Sequence, residues 1–99
     1  MSRLAILGAG NGGQALSGHL ALEGHDVSLY ELPAFAEKLQ PISEAGGIEL
    51  TGTIEGFGKL RCASSNAQEV VDGADILFLV VPSFGQVPIL KEILPFLRK

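Results

Sequence analysis

Cysteine, methionine, tryptophan and tyrosine are nearly missing from these 99 residues, which hold one Cys, one Met, no Trp and one Tyr. With Cys62 alone no intramolecular disulfide can form, and no thiol or imidazole cluster has metal-ligand or thiol-activating spacing. Charge is sparse as well. Seven Lys and Arg against eleven Asp and Glu leave a net charge of -4, which excludes a general attraction to nucleic acid or an anionic membrane surface. Long apolar runs are also lacking. The run from Leu4 to Leu7 is cut by glycine too early for a signal peptide, and no stretch approaches the roughly 20 residues of a membrane span. One cytoplasmic, globular domain is the expectation, since 46% hydrophobic residues can build a core.

Glycine, at 13 residues, is plentiful. Leu4-Ala-Ile-Leu-Gly-Ala-Gly-Asn-Gly-Gly13 reads as a short strand entering a G-x-G-x-x-G turn, with Gly8, Gly10 and Gly13 at its glycine positions. Such a turn can hold the pyrophosphate of a dinucleotide. Gly8 allows the tight bend, Gly10 a close approach to phosphate and Gly13 close packing of the following helix on the sheet. Backbone N–H groups of Asn11 and Gln14 would face the phosphates, Ala9 and Gly12 belong to the same cofactor-binding turn, and Asn11 also suits a helix N-cap.

The helix should run from Asn11 to Leu22, with Ala15, Leu16 and Leu20 facing the sheet and Gly24 ending it. Val27 to Tyr30 then reads as a second strand with Glu31 at its carboxyl end. That acid lies roughly 20 residues beyond the turn, where a carboxylate can accept hydrogen bonds from an adenosine ribose. A carboxylate there repels a 2′-phosphate, and no Arg or Lys follows in Leu32-Pro33-Ala34-Phe35, so NAD(H) is favoured over NADP(H). Lys38, the nearest cation, is expected to face solvent. The same four residues lack the Arg and glycines usual in FAD proteins.

Further along, Ala34 to Gln40 suggests a short helix that Pro41 disturbs. Runs at Ile48–Thr53 and Lys59–Ala63, linked through Glu55-Gly56-Phe57-Gly58, suggest a hairpin inserted into the βαβ pattern. Ser65 or Asn66 can cap a short helix, with Glu69 completing a capping box. Ile76 to Val81 is an unbroken apolar run of the kind found in parallel strands covered on both faces. Pro82 ends it, Ser83 and Gln86 form a second capping pattern, and Pro88 belongs in the first turn of a helix with Ile89, Leu90, Ile93, Leu94 and Leu97 on one stripe. The predicted fold is α/β: a Rossmann-like, doubly wound, mostly parallel sheet of order 3-2-1-4, truncated, with one or both hairpin strands at an edge. Gly8 and Val81 then lie side by side at the switch point, so Val81, Pro82 and Ser83 would line the nicotinamide half.

Gly8-Ala-Gly-Asn-Gly-Gly-Gln-Ala15, Gly47-Ile-Glu-Leu50 with its hairpin, and Ala74-Asp75 leading to Val80-Val-Pro-Ser83 make the chain resemble the amino-terminal domain of opine (octopine and nopaline) dehydrogenases. Glycerol-3-phosphate dehydrogenase and ketopantoate reductase share the architecture, although Glu31 and Pro82-Ser83 depart from the basic residues of the reductases. The resemblance implies NADH as cofactor and the reductive condensation of an α-keto acid with an amino acid. It also implies a catalytic His-Asp pair in a helical domain beyond Lys99, so that residues 1–99 form the cofactor domain of a longer enzyme. No catalytic residue and no metal ligand is expected within the chain. His19, His25, Asp72 and Asp75 read as surface or capping groups, and oligomeric state leaves no mark in the sequence. A nucleotide-sensing regulatory module, which shares the glycine turn and the strand-end acid, is the reading from another class.

Overall fold

The computed structural model describes residues 2–51, 55–81 and 83–96, with backbone only at 83–86. Strand β1 (Arg3–Leu7) leads into helix α1 (Asn11–Leu22), followed by β2 (Asp26–Tyr30), a 3-10 turn at Pro33–Lys38 and α2 (Gln40–Ala45). A hairpin of β3 (Gly47–Leu50) and β4 (Gly56–Lys59) comes next, then β5 (Cys62–Ser64), α3 (Ala67–Val71), β6 (Ile76–Leu79) and α4 (Ser83–Ile93). Four strands form one parallel sheet in the order β5-β2-β1-β6, with Leu4 opposite both Val27 and Ile76. This is the 3-2-1-4 order of a Rossmann-like fold, with β5 in third place.

Alternation along β1 and β2 divides the core between the two faces of the sheet. Leu4, Ile6, Val27 and Leu29 join Leu39, Ile42, Ile48 and Leu60 on one side; Ala5, Leu7 and Tyr30 join Val70, Val71, Ile89 and Ile93 on the other. Asn66 caps α3 as expected, its Oδ1 accepting from the Glu69 N–H at 3.2 Å. The box is not closed by Glu69, because the Asn66 N–H donates to Ser64 Oγ at 2.9 Å.

The hairpin departs from the expected layout. It forms a separate antiparallel pair stacked on α1, whereas the sheet edge belongs to β5. The glycine-rich link is itself β4, and the Lys59–Ala63 run divides between the hairpin and the parallel sheet; Thr53 lies outside the described residues. Close packing explains the glycines: a Cβ on Gly58 would stand 2.4 Å from the Gly18 carbonyl oxygen. Helix α1 is therefore held between two layers by small residues, burying Gly13, Ser17 and Gly18, while Ala15 is exposed.

Other corrections follow from the same packing. Pro41 lies in the first turn of α2 instead of disrupting a helix, a position where its missing N–H costs nothing. Pro88 falls inside α4 rather than in its first turn, because the helix already begins at Ser83. Leu90 and Leu94 are exposed while Ile89 and Ile93 are buried, so the α4 stripe is narrower than its sequence suggests; Leu97 is outside the described residues. The apolar run of β6 is only half-buried, with Ile76 at 49% exposure, because among the described strands β6 pairs with β1 alone.

Candidate functional site

At the carboxyl end of β1 the chain turns at Gly8, whose N–H donates to the Tyr30 carbonyl at 2.8 Å. Gly8 has φ +121°, and a Cβ there would lie 2.5 Å from both the Val80 carbonyl oxygen and Val81 Cγ1. Backbone conformation and space both demand glycine. At Gly13 a Cβ would fall 1.8 Å from the Gly8 carbonyl oxygen, so this glycine lets the first turn of α1 close over β1. Gly10 is different: apart from its chain neighbours, no heavy atom of the described residues lies within 4 Å of its notional Cβ. The space beside it is open to a ligand.

Gly10 is also the N-cap of α1, so Asn11 is the first helical residue and not the cap. No side chain caps the helix. The Gln14 N–H donates to the Gly10 carbonyl at 2.9 Å, which removes it from the expected phosphate donors. The amides of Asn11, Gly12 and Gly13 precede that bond and have no intrahelical acceptor. Together with the helix dipole they suit an anion at this end.

Glu31 directly follows β2 and is 5% exposed. Its Oε1 accepts from the Ala9 N–H and its Oε2 from the Leu32 N–H, both at 3.0 Å. A carboxylate has about four acceptor positions, which leaves two for hydroxyl groups of a ligand. Ala9 is fully buried, and with its N–H committed to Glu31 it anchors the turn instead of reaching phosphate. Gln14 Nε2 completes the anchor by donating to the Ala9 carbonyl at 2.8 Å. That bond is not evident in the sequence, although a long polar side chain in the first turn of a helix is the available signal.

Val81, half-buried, lies beside Gly8, where the sequence places the second wall of the site. Pro82 lies outside the described residues, and Ser83 opens α4 with its side chain undescribed. His19 pairs with Glu23 on an exposed flank of α1 at 3.0 Å, and His25 precedes β2, at the opposite end of the sheet from the turn. Asp75 accepts from the Arg3 N–H, and Asp26 joins Arg3 and Arg61 at that same far end. Cavities of about 230 and 330 Å³ between α2 and β5 are also separate from the turn. Burial pushes the Cys62 thiol up, and Lys38 stands 5.2 Å from the centre of the Phe35 ring. No group of acids, histidines and thiols able to hold a metal occurs among the described residues, and no described helix is long and apolar enough to cross a membrane.

Open space at Gly10, unpaired amides at a helix start and a buried carboxylate with free acceptor positions match the phosphates and ribose of a dinucleotide. Fold and site thus define a Rossmann-type dinucleotide-binding domain. Residues 3–99 match the family described as NAD-dependent glycerol-3-phosphate dehydrogenase N-terminus, and the chain belongs to that family. It is 36% identical to a glycerol-3-phosphate dehydrogenase [NAD(P)+] of Exiguobacterium sp., covering 94% of this chain and 27% of that protein. It is 30% identical to an opine dehydrogenase of Arthrobacter sp. (strain 1C), covering 96% of this chain and 26% of that protein. Among solved structures, octopine dehydrogenase with NADH and pyruvate superimposes with a TM-score of 0.83 at 25% identity, over 99% of this chain and 27% of that one. A 2-dehydropantoate 2-reductase from Porphyromonas gingivalis, 23% identical with a TM-score of 0.76, shares the fold. The chain spans between 26% and 35% of the length of these proteins.

Proposed function

We propose that this chain holds NADH for an opine-type dehydrogenase, which joins an α-keto acid to the amino group of an amino acid. The buried Glu31 carboxylate, bonded to the glycine turn at Ala9, carries the cofactor assignment. Its remaining acceptor positions take the adenosine ribose, while its charge disfavours the 2′-phosphate of NADPH. The Asn11, Gly12 and Gly13 amides receive the pyrophosphate, and Val81, Pro82 and Ser83 border the nicotinamide. Ser83 touches cofactor at most and has no role as a nucleophile. When bound, the nicotinamide supplies the hydride. The chain's own groups bind and orient it, and the keto acid and amino acid are held, with the acid–base groups, by a further domain of the enzyme.

Similarity over nearly the whole chain to octopine dehydrogenase, solved with NADH and pyruvate, supports the opine reading. A glycerol-3-phosphate dehydrogenase is the second reading, favoured by the family match and by a relative 36% identical. Calorimetric titration of the chain with NADH and NADPH tests the cofactor assignment: tighter NADH binding supports it, and absent binding or a preference for NADPH refutes it. For the whole enzyme, NADH oxidation that needs both pyruvate and an amino acid establishes the opine reaction. NAD-dependent oxidation of glycerol 3-phosphate establishes the other.

A further inference from the structure

We propose that Gln14 is a positioning residue for the phosphate-binding turn, acting through the Ala9–Gly10 peptide and not by touching the cofactor. The inference rests on the NADH-binding reading and adds a residue to it. Ala9 lies between the two glycines whose conformation shapes the turn, and its side chain, a single methyl, cannot hold the peptide in place by hydrogen bonding. Two other side chains do so from opposite sides. Glu31, at the end of β2, accepts from the Ala9 N–H at 3.0 Å; Gln14, in the first turn of α1, donates through Nε2 to the Ala9 carbonyl at 2.8 Å. Both bonds are at good hydrogen-bonding distance, and one of them is charge-assisted.

The arrangement ties three elements to one residue: Glu31 holds the peptide before Ala9, and Gln14 holds the peptide after it. Gly8 is bonded through its N–H to the Tyr30 carbonyl on β2, and Gly10 accepts from the Gln14 N–H. Gln14 thus grips the turn twice, through its backbone at Gly10 and through its side chain at Ala9. Because glycine has the widest conformational freedom of any residue, a turn with Gly8, Gly10, Gly12 and Gly13 would otherwise sample many orientations of its amides. Holding Ala9 on both sides fixes the peptide that leads into Gly10 and hence the direction of the free amides at Asn11, Gly12 and Gly13. Ordering before binding removes an entropy cost that the ligand would otherwise meet. Only a ligand with phosphate benefits.

The test compares the chain with Gln14→Met, which keeps the length of the side chain but removes the donor. Titrations use NADH, ADP-ribose and adenosine, and hydrogen exchange of the Gly10 to Gly13 amides is followed by NMR without ligand. Loss of one neutral hydrogen bond predicts an affinity about three- to tenfold weaker for NADH and for ADP-ribose. Adenosine, which has the ribose but no phosphate, should bind equally to both proteins, and the turn amides should exchange faster in the variant. Equal NADH affinity of the two proteins, or equal weakening for adenosine and ADP-ribose, overturns the proposal. Failure of the unaltered chain to bind NADH overturns the cofactor reading itself.

Discussion

The Glu31 carboxylate accepts a hydrogen bond from the Ala9 N–H at 3.0 Å, joining the end of the second strand to the phosphate turn that follows the first. Its other oxygen accepts from the Leu32 N–H. One residue therefore shapes the turn and keeps acceptor positions that, on the proposed reading, receive the ribose. Glu31→Gln puts an amide NH2 where one acceptor stood, facing a backbone donor, and removes the charge. We expect NADH affinity to fall by about tenfold or more, as for a lost charge-assisted bond, while the preference for NADH over NADPH narrows. Paired titrations of the variant with both cofactors measure this, and an unchanged preference would show that Glu31 does not discriminate between them.

Gly10 and Gly13 separate binding from folding. Gly10→Ala meets no atom of the described residues beyond its chain neighbours within 4 Å, so its melting temperature should stay close to that of the parent while NADH binding weakens by crowding of the pyrophosphate. Gly13→Ala places a methyl 1.8 Å from the Gly8 carbonyl and should disrupt the start of α1. Circular dichroism melts beside NADH titrations distinguish the two effects.

Gly58 packs against Gly18 where the hairpin crosses α1. A methyl at Gly58 meets the Gly18 carbonyl oxygen at 2.4 Å and its Cα at 2.9 Å, and both are backbone atoms that cannot rotate away. Gly58→Ala is expected to destabilise the domain by about 1–3 kcal/mol, the range for overpacking. Urea denaturation of the variant and the parent provides the measure; an unchanged midpoint would mean that the hairpin is not held against the helix.

Cys62 makes stability depend on alkaline pH. Burial raises its thiol, opposed by a hydrogen bond to Ser28 and by Arg61, and reinforced by Glu69 and Asp26. The folded chain therefore holds the thiol proton more tightly than the unfolded chain. The resulting stability is complete below the unfolded thiol's value of about 8.5 and is lost as pH rises through the folded value. Tyr30 is raised in the same direction, first by burial and then by Glu92 and Glu31, and adds its own loss at higher pH. Cys62→Ala should remove the first part of the decline in urea midpoint between neutral and alkaline pH and leave the tyrosine part.

The family, the parallel strands and the glycine turn with its strand-end acid were legible in the sequence because their signals are local. Positive φ at Gly8, a helix beginning at Asn11 and an acid directly after the second strand are set by residues adjacent in the chain. The hairpin was less legible. Gly56-Phe57-Gly58 looks like a linker by strand propensity, yet it is β4, because contact with Gly18 requires a residue without a side chain. Ala15, Leu90 and Leu94 misled for a related reason: helical spacing says which residues share a face, not which face has a neighbour.

What the sequence by itself determined is the list of parts: a strand, a glycine turn, a helix and a strand-end carboxylate in the right order and number. Tertiary structure alone decided how they are joined. Only the parallel pairing of β1 with β2 brings Glu31 within 3.0 Å of Ala9 across 22 positions, and only the return of α1 over the turn sets Gln14 on the Ala9 carbonyl. Hydrogen bonds act over a few ångströms, whereas sequence spacing measures distance along a chain that has yet to fold.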